Sequence, residues 1–98
     1  MPRRHNAHRR TNDKRICERI HAKRRALERY GLSLTTHNLK EIGEQIWIEK
    51  NAFFIRRQSQ RVTLWKVIYQ NTSMYVVYDA LRESVVTVLS PEMVEGVS

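Results

Sequence analysis

The chain has 98 residues and a net charge of +8, from 18 Lys and Arg against 10 Asp and Glu. At 41% hydrophobic it is long enough for one compact core and too short for two. No apolar run approaches the roughly 18 residues of a membrane-spanning helix, no apolar leader is expected at the start, and a lone Cys17 cannot form an internal disulfide. A membrane protein, a disulfide-stapled miniprotein and a multidomain enzyme are therefore excluded, and a reducing cytoplasmic setting is expected.

Residues 1–11 carry almost no apolar side chain. They cannot bury enough surface to order themselves, and the expectation is a disordered basic arm. Thr11-Asn12-Asp13 then offers helix-capping chemistry and Gly31 a stop. Between them Ile16, Ile20, Leu27 and Tyr30 recur on one narrow stripe, predicting a helix over 12–30 with that stripe turned to the core.

A second helix is predicted over 36–48. Thr35 or Thr36 would cap it, with Asn38 and Glu41 as a weaker capping pair. Leu39, Ile42 and Ile46 form its apolar face, Gly43 is a small cost in its interior, and Trp47 and Ile48 would close it against the body.

From residue 53 the period changes. A short strand is expected over 53–57, then an alternating one over 62–69 with Thr63, Trp65, Val67 and Tyr69 on one side. Turn residues occupy 70–73, a third strand 74–78, a polar connection 79–84 and a β-branched fourth strand 85–89 that Pro91 ends. Short connections favour an antiparallel meander. The expected fold is α+β, two N-terminal helices on a four-stranded antiparallel sheet, in one domain over 12–90 followed by a tail over 91–98.

Charge is distributed unevenly. Residues 1–30 hold 11 Lys and Arg against 3 Asp and Glu, a net of +8, while residues 31–98 hold 7 of each. Such a cationic segment on a neutral body attracts a polyanion, because each neutralised phosphate releases counterions. Arg3, Arg4, Arg9, Arg10, Lys14, Arg15, Arg24 and Arg29 are the expected phosphate contacts in that third, with Arg57 and Lys66 from the strands. An acidic host or inhibitor protein would feel the same field, and a solvated helix that keeps the protein in solution has the same composition.

Opposite the apolar stripe, His21, Arg25 and Glu28 fall at i, i+4 and i+7, which gathers an imidazole and guanidinium groups on one patch. An imidazole transfers protons near neutrality and arginine forks onto phosphate. These are the ingredients of metal-independent RNA cleavage by 2′-hydroxyl attack. A surface histidine among salt-bridged arginines has the same spacing. Thr87 interrupts a valine run; with Val86 and Val88 facing the core, its hydroxyl would point to the open face of the sheet. Arg56 and Arg57 fall on opposite faces of their strand, so one guanidinium looks away from the core. Tyr69 and Tyr78 could stack on a base but suit packing better, and Trp47 and Trp65 read as core. His5, His8, Cys17 and His21 are zinc-type ligands without the paired cysteines of a structural site. No phosphate-cradling glycine loop or nucleophile elbow occurs. No metal and no cofactor are expected.

Two segments carry a resemblance. His21-Ala22-Lys23-Arg24-Arg25-Ala26-Leu27-Glu28-Arg29-Tyr30-Gly31-Leu32, followed by Thr35, resembles the N-terminal helix of short phage and prophage proteins. The Val85-Val86-Thr87-Val88-Leu89 strand, after Tyr75-Val76-Val77-Tyr78-Asp79, resembles their last strands. These look like members of the barnase–EndoU–colicin–RelE ribonuclease superfamily, which includes toxin domains that cut transfer or messenger RNA. The resemblance spans roughly residues 16–90. It implies two helices on a four-stranded antiparallel sheet, a functional His21, a helix arginine at Arg25, a strand hydroxyl at Thr87, and a basic strand residue at Arg56, Arg57 or Lys66. In that reading the protein is a toxin-like or phage-encoded endoribonuclease. His21 would be the acid or base, Arg25 and Arg56 phosphate clamps, and Thr87 a positioning hydroxyl. A non-catalytic regulator on the same fold is the alternative.

Overall fold

A computed structural model describes the backbone of residues 2–95 and the side chains of residues 16–94. The element order is α1 (Pro2–Tyr30), α2 (Thr36–Ile48), β1 (Ala52–Arg57), β2 (Val62–Tyr69), β3 (Thr72–Asp79), β4 (Ser84–Leu89) and α3 (Pro91–Glu95). The strands form one antiparallel sheet in the order β1-β2-β3-β4, with α1 and α2 against one face. This is the expected α+β arrangement.

Local chemistry explains the boundaries. Thr35 caps α2: its hydroxyl accepts the Asn38 N–H at 3.1 Å while the Asn38 side chain accepts the Thr35 N–H at 2.9 Å. Asparagine thus completes a reciprocal box usually made by Glu or Gln. At the other end Glu49 turns left-handed, φ 55°, and the Lys50 N–H bonds back to the Gln45 carbonyl, closing the last turn. Gln70 and Asn71, φ 50° and 60°, form the two-residue β2–β3 hairpin whose handedness matches strand twist.

Several expectations change. Helix α1 begins at Pro2, so residues 2–11 continue the helix where a disordered arm was expected. No glycine interrupts residues 2–30, proline is tolerated in the first turn, and arginine and alanine are good helix formers. The residues after β4 form α3, with proline as its first residue.

The third concerns which face of α1 is buried. Ala22 and Ala26 are fully buried, whereas Ile16, Ile20 and Leu27 are 49%, 50% and 56% exposed. The predicted stripe therefore looks outward, Tyr30 alone packing at the margin of the core. Small side chains let the helix backbone approach the sheet closely, and polar contacts on either side fix its rotation. Trp47 and Ile48 are likewise exposed rather than closing the body.

The main core lies between helices and sheet and includes Ala22, Ala26, Leu39, Ile42, Ile46, Val67, Met74, Val76, Tyr78, Val85 and Val88, with Trp65 and Tyr69 at its margin. The opposite face holds a second cluster of Leu64, Val77 and Val94, which α3 helps to cover. In β4 the pairing slips between Val77 and Tyr78. The extra residue lets Val85 and Val88 both face the helices, while Val86 packs on the far cluster instead of the main core.

Candidate nucleic-acid interface

Helix α1 lies along β4 and is pinned at two places. The Arg82 guanidinium donates to both Glu18 carboxylate oxygens at 2.8 and 3.1 Å. Further on, Arg29 Nη1 donates to the Val88 carbonyl at 2.6 Å, and the Tyr30 hydroxyl donates to the Leu89 carbonyl at 2.5 Å while accepting the Tyr75 N–H at 3.1 Å. Eleven helix residues rise about 16 Å, and the segment from Arg82 in the β3–β4 turn to Val88 in β4 spans at most about 20 Å. The two elements run side by side in the same direction.

Glu18, Arg25 and Arg29 share one stripe of α1 with Ala22. Arg25 thus lies between the two anchors, and its Nη1 donates to Glu28 Oε1 at 2.6 Å. His21 and Arg24 are exposed on the adjoining flank, as is Cys17. The predicted cluster of His21, Arg24, Arg25 and Glu28 is therefore a real surface of the helix. Arg29 is not part of it, because β4 holds its guanidinium.

The strand candidates belong to the other face. Arg56 pairs with Leu64, Leu64 with Val77 and Val77 with Thr87, one row across the sheet on the side away from the helices. Lys66, opposite Tyr75, lies on that side too. Arg57 is on the helix side, opposite Thr63, and donates to the Gln60 carbonyl at 3.5 Å. Thr87 does point away from the main core, as predicted, but not to open solvent. Its Oγ1 is buried and lacks a hydrogen-bond partner among the described residues. The candidates thus divide into His21, Arg24 and Arg25 on α1, and Arg56, Lys66 and Thr87 on the far sheet face. The side chains of Arg3, Arg4, Arg9, Arg10, Lys14 and Arg15, and of His5 and His8, lie outside the described residues. Among the described residues no three potential metal ligands cluster, and no helix is long and apolar enough to cross a membrane.

Two polar networks were not foreseen from sequence. Asp79, 2% exposed, accepts from Arg61 Nε and Nη2, from Arg82 Nε, and from the Leu81 and Arg82 N–H groups, all at 2.9 to 3.2 Å. Burial by itself would raise its pKa, but the Arg61 hydrogen bonds and the Arg82 backbone and side-chain donors prevail and hold it at about 2. Through Arg82, this cluster ties the β3–β4 turn to Glu18 on α1. On α2, the Tyr69 hydroxyl donates to Glu41 and accepts from Asn38 at 2.8 Å. The Tyr69 hydrogen bond lowers the Glu41 pKa, against desolvation. The Asn38/Glu41 spacing was visible; its partner on β2 was not.

No protein-family model, curated protein or solved structure matches the chain.

Proposed function

We propose that this protein binds RNA through the sugar–phosphate backbone, with the outward flank of α1 as the contact. The observation that carries the reading is where the charge lies. The whole excess of +8 falls in residues 1–30, the stretch that forms α1. Of the acidic side chains described on that helix, Glu18 is engaged by Arg82 and Glu28 by Arg25. Arg19 and Arg24 stay exposed. A helix that carries cations over several turns can follow a phosphate backbone with no need for base contacts. Duplex DNA offers the same charge; the likeness of the His21–Leu32 segment to ribonuclease-type proteins favours RNA.

A catalytic reading rests on one further observation, an exposed His21 one turn before Arg25. There the neutral imidazole takes the 2′-hydroxyl proton and the oxygen attacks the adjacent phosphorus. The 5′-oxygen leaves with a proton taken from water, giving a 2′,3′-cyclic phosphate, and Arg25 balances the added negative charge. The buried hydroxyl of Thr87 has no part in this version, and Arg56, on the far face, is not a clamp for it. Binding without cleavage is the simpler arrangement and the one we favour.

The test is fluorescence anisotropy with a labelled single-stranded RNA over rising salt. Affinity is expected to fall steeply, and the combined Arg19→Gln, Arg24→Gln, Arg25→Gln variant to flatten the log–log slope by about 2. A slope unchanged by these substitutions would overturn the reading. Incubating the RNA with the protein in chelator, beside His21→Ala, decides the catalytic version: cleavage that vanishes in the variant supports it, and intact RNA removes it.

A further inference from the structure

A cavity of about 320 Å³ opens between α2 and the β3–β4 turn, lined by Lys40, Gly43, Glu44, Trp47, Tyr78 and Glu83. It shares Trp47 and Tyr78 with a neighbouring apolar recess of about 210 Å³ that reaches Thr63 and Trp65. Four features mark it out.

The first is Tyr78. Its residue is only 3% exposed, yet its side chain lines both cavities, and its hydroxyl has no hydrogen-bond partner among the described residues. Thr87 Oγ1 is the sealed, unpartnered side-chain oxygen among the described residues, so the Tyr78 hydroxyl is left open to the cavity rather than shut in the core. Burial, with Glu83 and Asp79 nearby, pushes the phenol pKa upward, so the group stays neutral and able to accept or donate.

The second is local charge. Glu44 and Glu83 line the cavity against Lys40 alone, and Glu49 lines the recess. The sign is opposite to that of the whole chain. These carboxylates set the charge of the lining, so a cation is what the lining itself attracts.

The third is Trp47, 67% exposed. An indole left so open at the mouth of an acidic cavity offers a π-face to a cation. The fourth is Gly43. An added Cβ there would meet Tyr78 Cε1 at 3.7 Å and the Glu83 carbonyl at 3.8 Å, ordinary contacts. Packing alone does not demand glycine, and its bare backbone leaves the floor of the cavity open.

We propose that this cavity binds the guanidinium of an arginine side chain presented by a partner protein. The planar cation stacks on Trp47, its N–H fork reaches the Glu44 and Glu83 carboxylates, and the Tyr78 hydroxyl accepts a further N–H. Arginine suits the site better than lysine because it is planar, weakly hydrated and rich in donors. The volume fits one side chain and excludes a folded element. This site is separate from the RNA contact on α1 and does not depend on it.

The test uses the full chain carrying Trp65→Phe, so that Trp47 is the only indole, titrated with N-acetyl-arginine amide and with the neutral isostere N-acetyl-citrulline amide. Arginine is expected to give a saturable change in indole emission, citrulline binding about tenfold more weakly. The combined Glu44→Gln, Glu83→Gln variant is expected to erase that preference. Because Trp65 packs on the core, the wild-type protein is followed in parallel by the NMR signals of its indole N–H groups. An unsaturable response, equal binding of the two amides, or a preference that survives the glutamine substitutions would each overturn the proposal.

Discussion

Glu18 and Arg82, 64 positions apart, meet in a two-pronged ion pair at 2.8 and 3.1 Å, and Arg82 is at the same time a donor to the buried Asp79. One guanidinium thereby joins α1 to the β3–β4 turn. Both partners are largely withdrawn from solvent, at 23% and 20% side-chain exposure. Arg82→Ala leaves two carboxylates short of a donor, and a loss of about 3 kcal/mol is expected in urea unfolding. Glu18→Gln keeps the shape and one acceptor, and a smaller loss of about 1 kcal/mol is expected.

Asp79 makes stability depend on acid. Its pKa is depressed from 3.8 to about 2, so the folded state holds its proton less tightly than the unfolded chain. The associated stability is fully present above pH 4 and is lost as pH falls toward 2, amounting to about 2 kcal/mol. Thermal melts across this window are expected to drop for the wild-type protein. Asp79→Asn is expected to be less stable at pH 7 and to show a shallower acid dependence.

The rotation of α1 has a simple test. Ala26 is fully buried and Ile20 half exposed. Ala26→Leu forces methyl groups into a filled interface, at a cost of about 2 kcal/mol. Ile20→Gln is expected to stay within about 0.5 kcal/mol of wild type. The opposite ranking in chemical denaturation would mean that the helix is turned the other way.

Thr87 buries a hydroxyl that has no partner among the described residues. Thr87→Val removes the desolvation cost while keeping the shape, and a gain of up to about 1 kcal/mol is expected by calorimetry. A loss would show that the hydroxyl is engaged by a group such as an ordered water.

Some of this was readable in the chain before folding. The alternation from Val62 to Tyr69 predicted β2 with its observed bounds, and Thr35 with Leu39, Ile42 and Ile46 predicted α2. In both, the apolar pattern and the buried face coincide. On α1 they part company. Its larger apolar residues lie outward because two alanines and the long-range contacts of Glu18, Arg29 and Tyr30 fix the rotation, and no periodicity records partners some sixty residues away. The Val86 misreading came from the slip in β4, since strict alternation assumes an even ladder. Thr87 was misjudged only in its burial, because the far face carries a cluster of its own that includes Val94 of α3. The grouping of His21 with Arg25 was legible because it needs only helical spacing. The separation of both from Arg56 required the sheet. Asp79 was invisible because nothing local distinguishes a buried aspartate from the first residue of an ordinary turn.

The two margins of the sheet are treated differently. At β4 the outward carbonyl of Val88 is already occupied by Arg29 of α1. β1 forms the other margin, and there Phe53, Phe54 and Ile55 are exposed, a combination that invites another chain to add a strand. The irregular pairing between Phe54 and Arg56 bends that border, and the adjoining arginines give it charge. A kinked, cationic rim resists templated stacking, so the molecule can display aromatic side chains at its border without seeding fibrils.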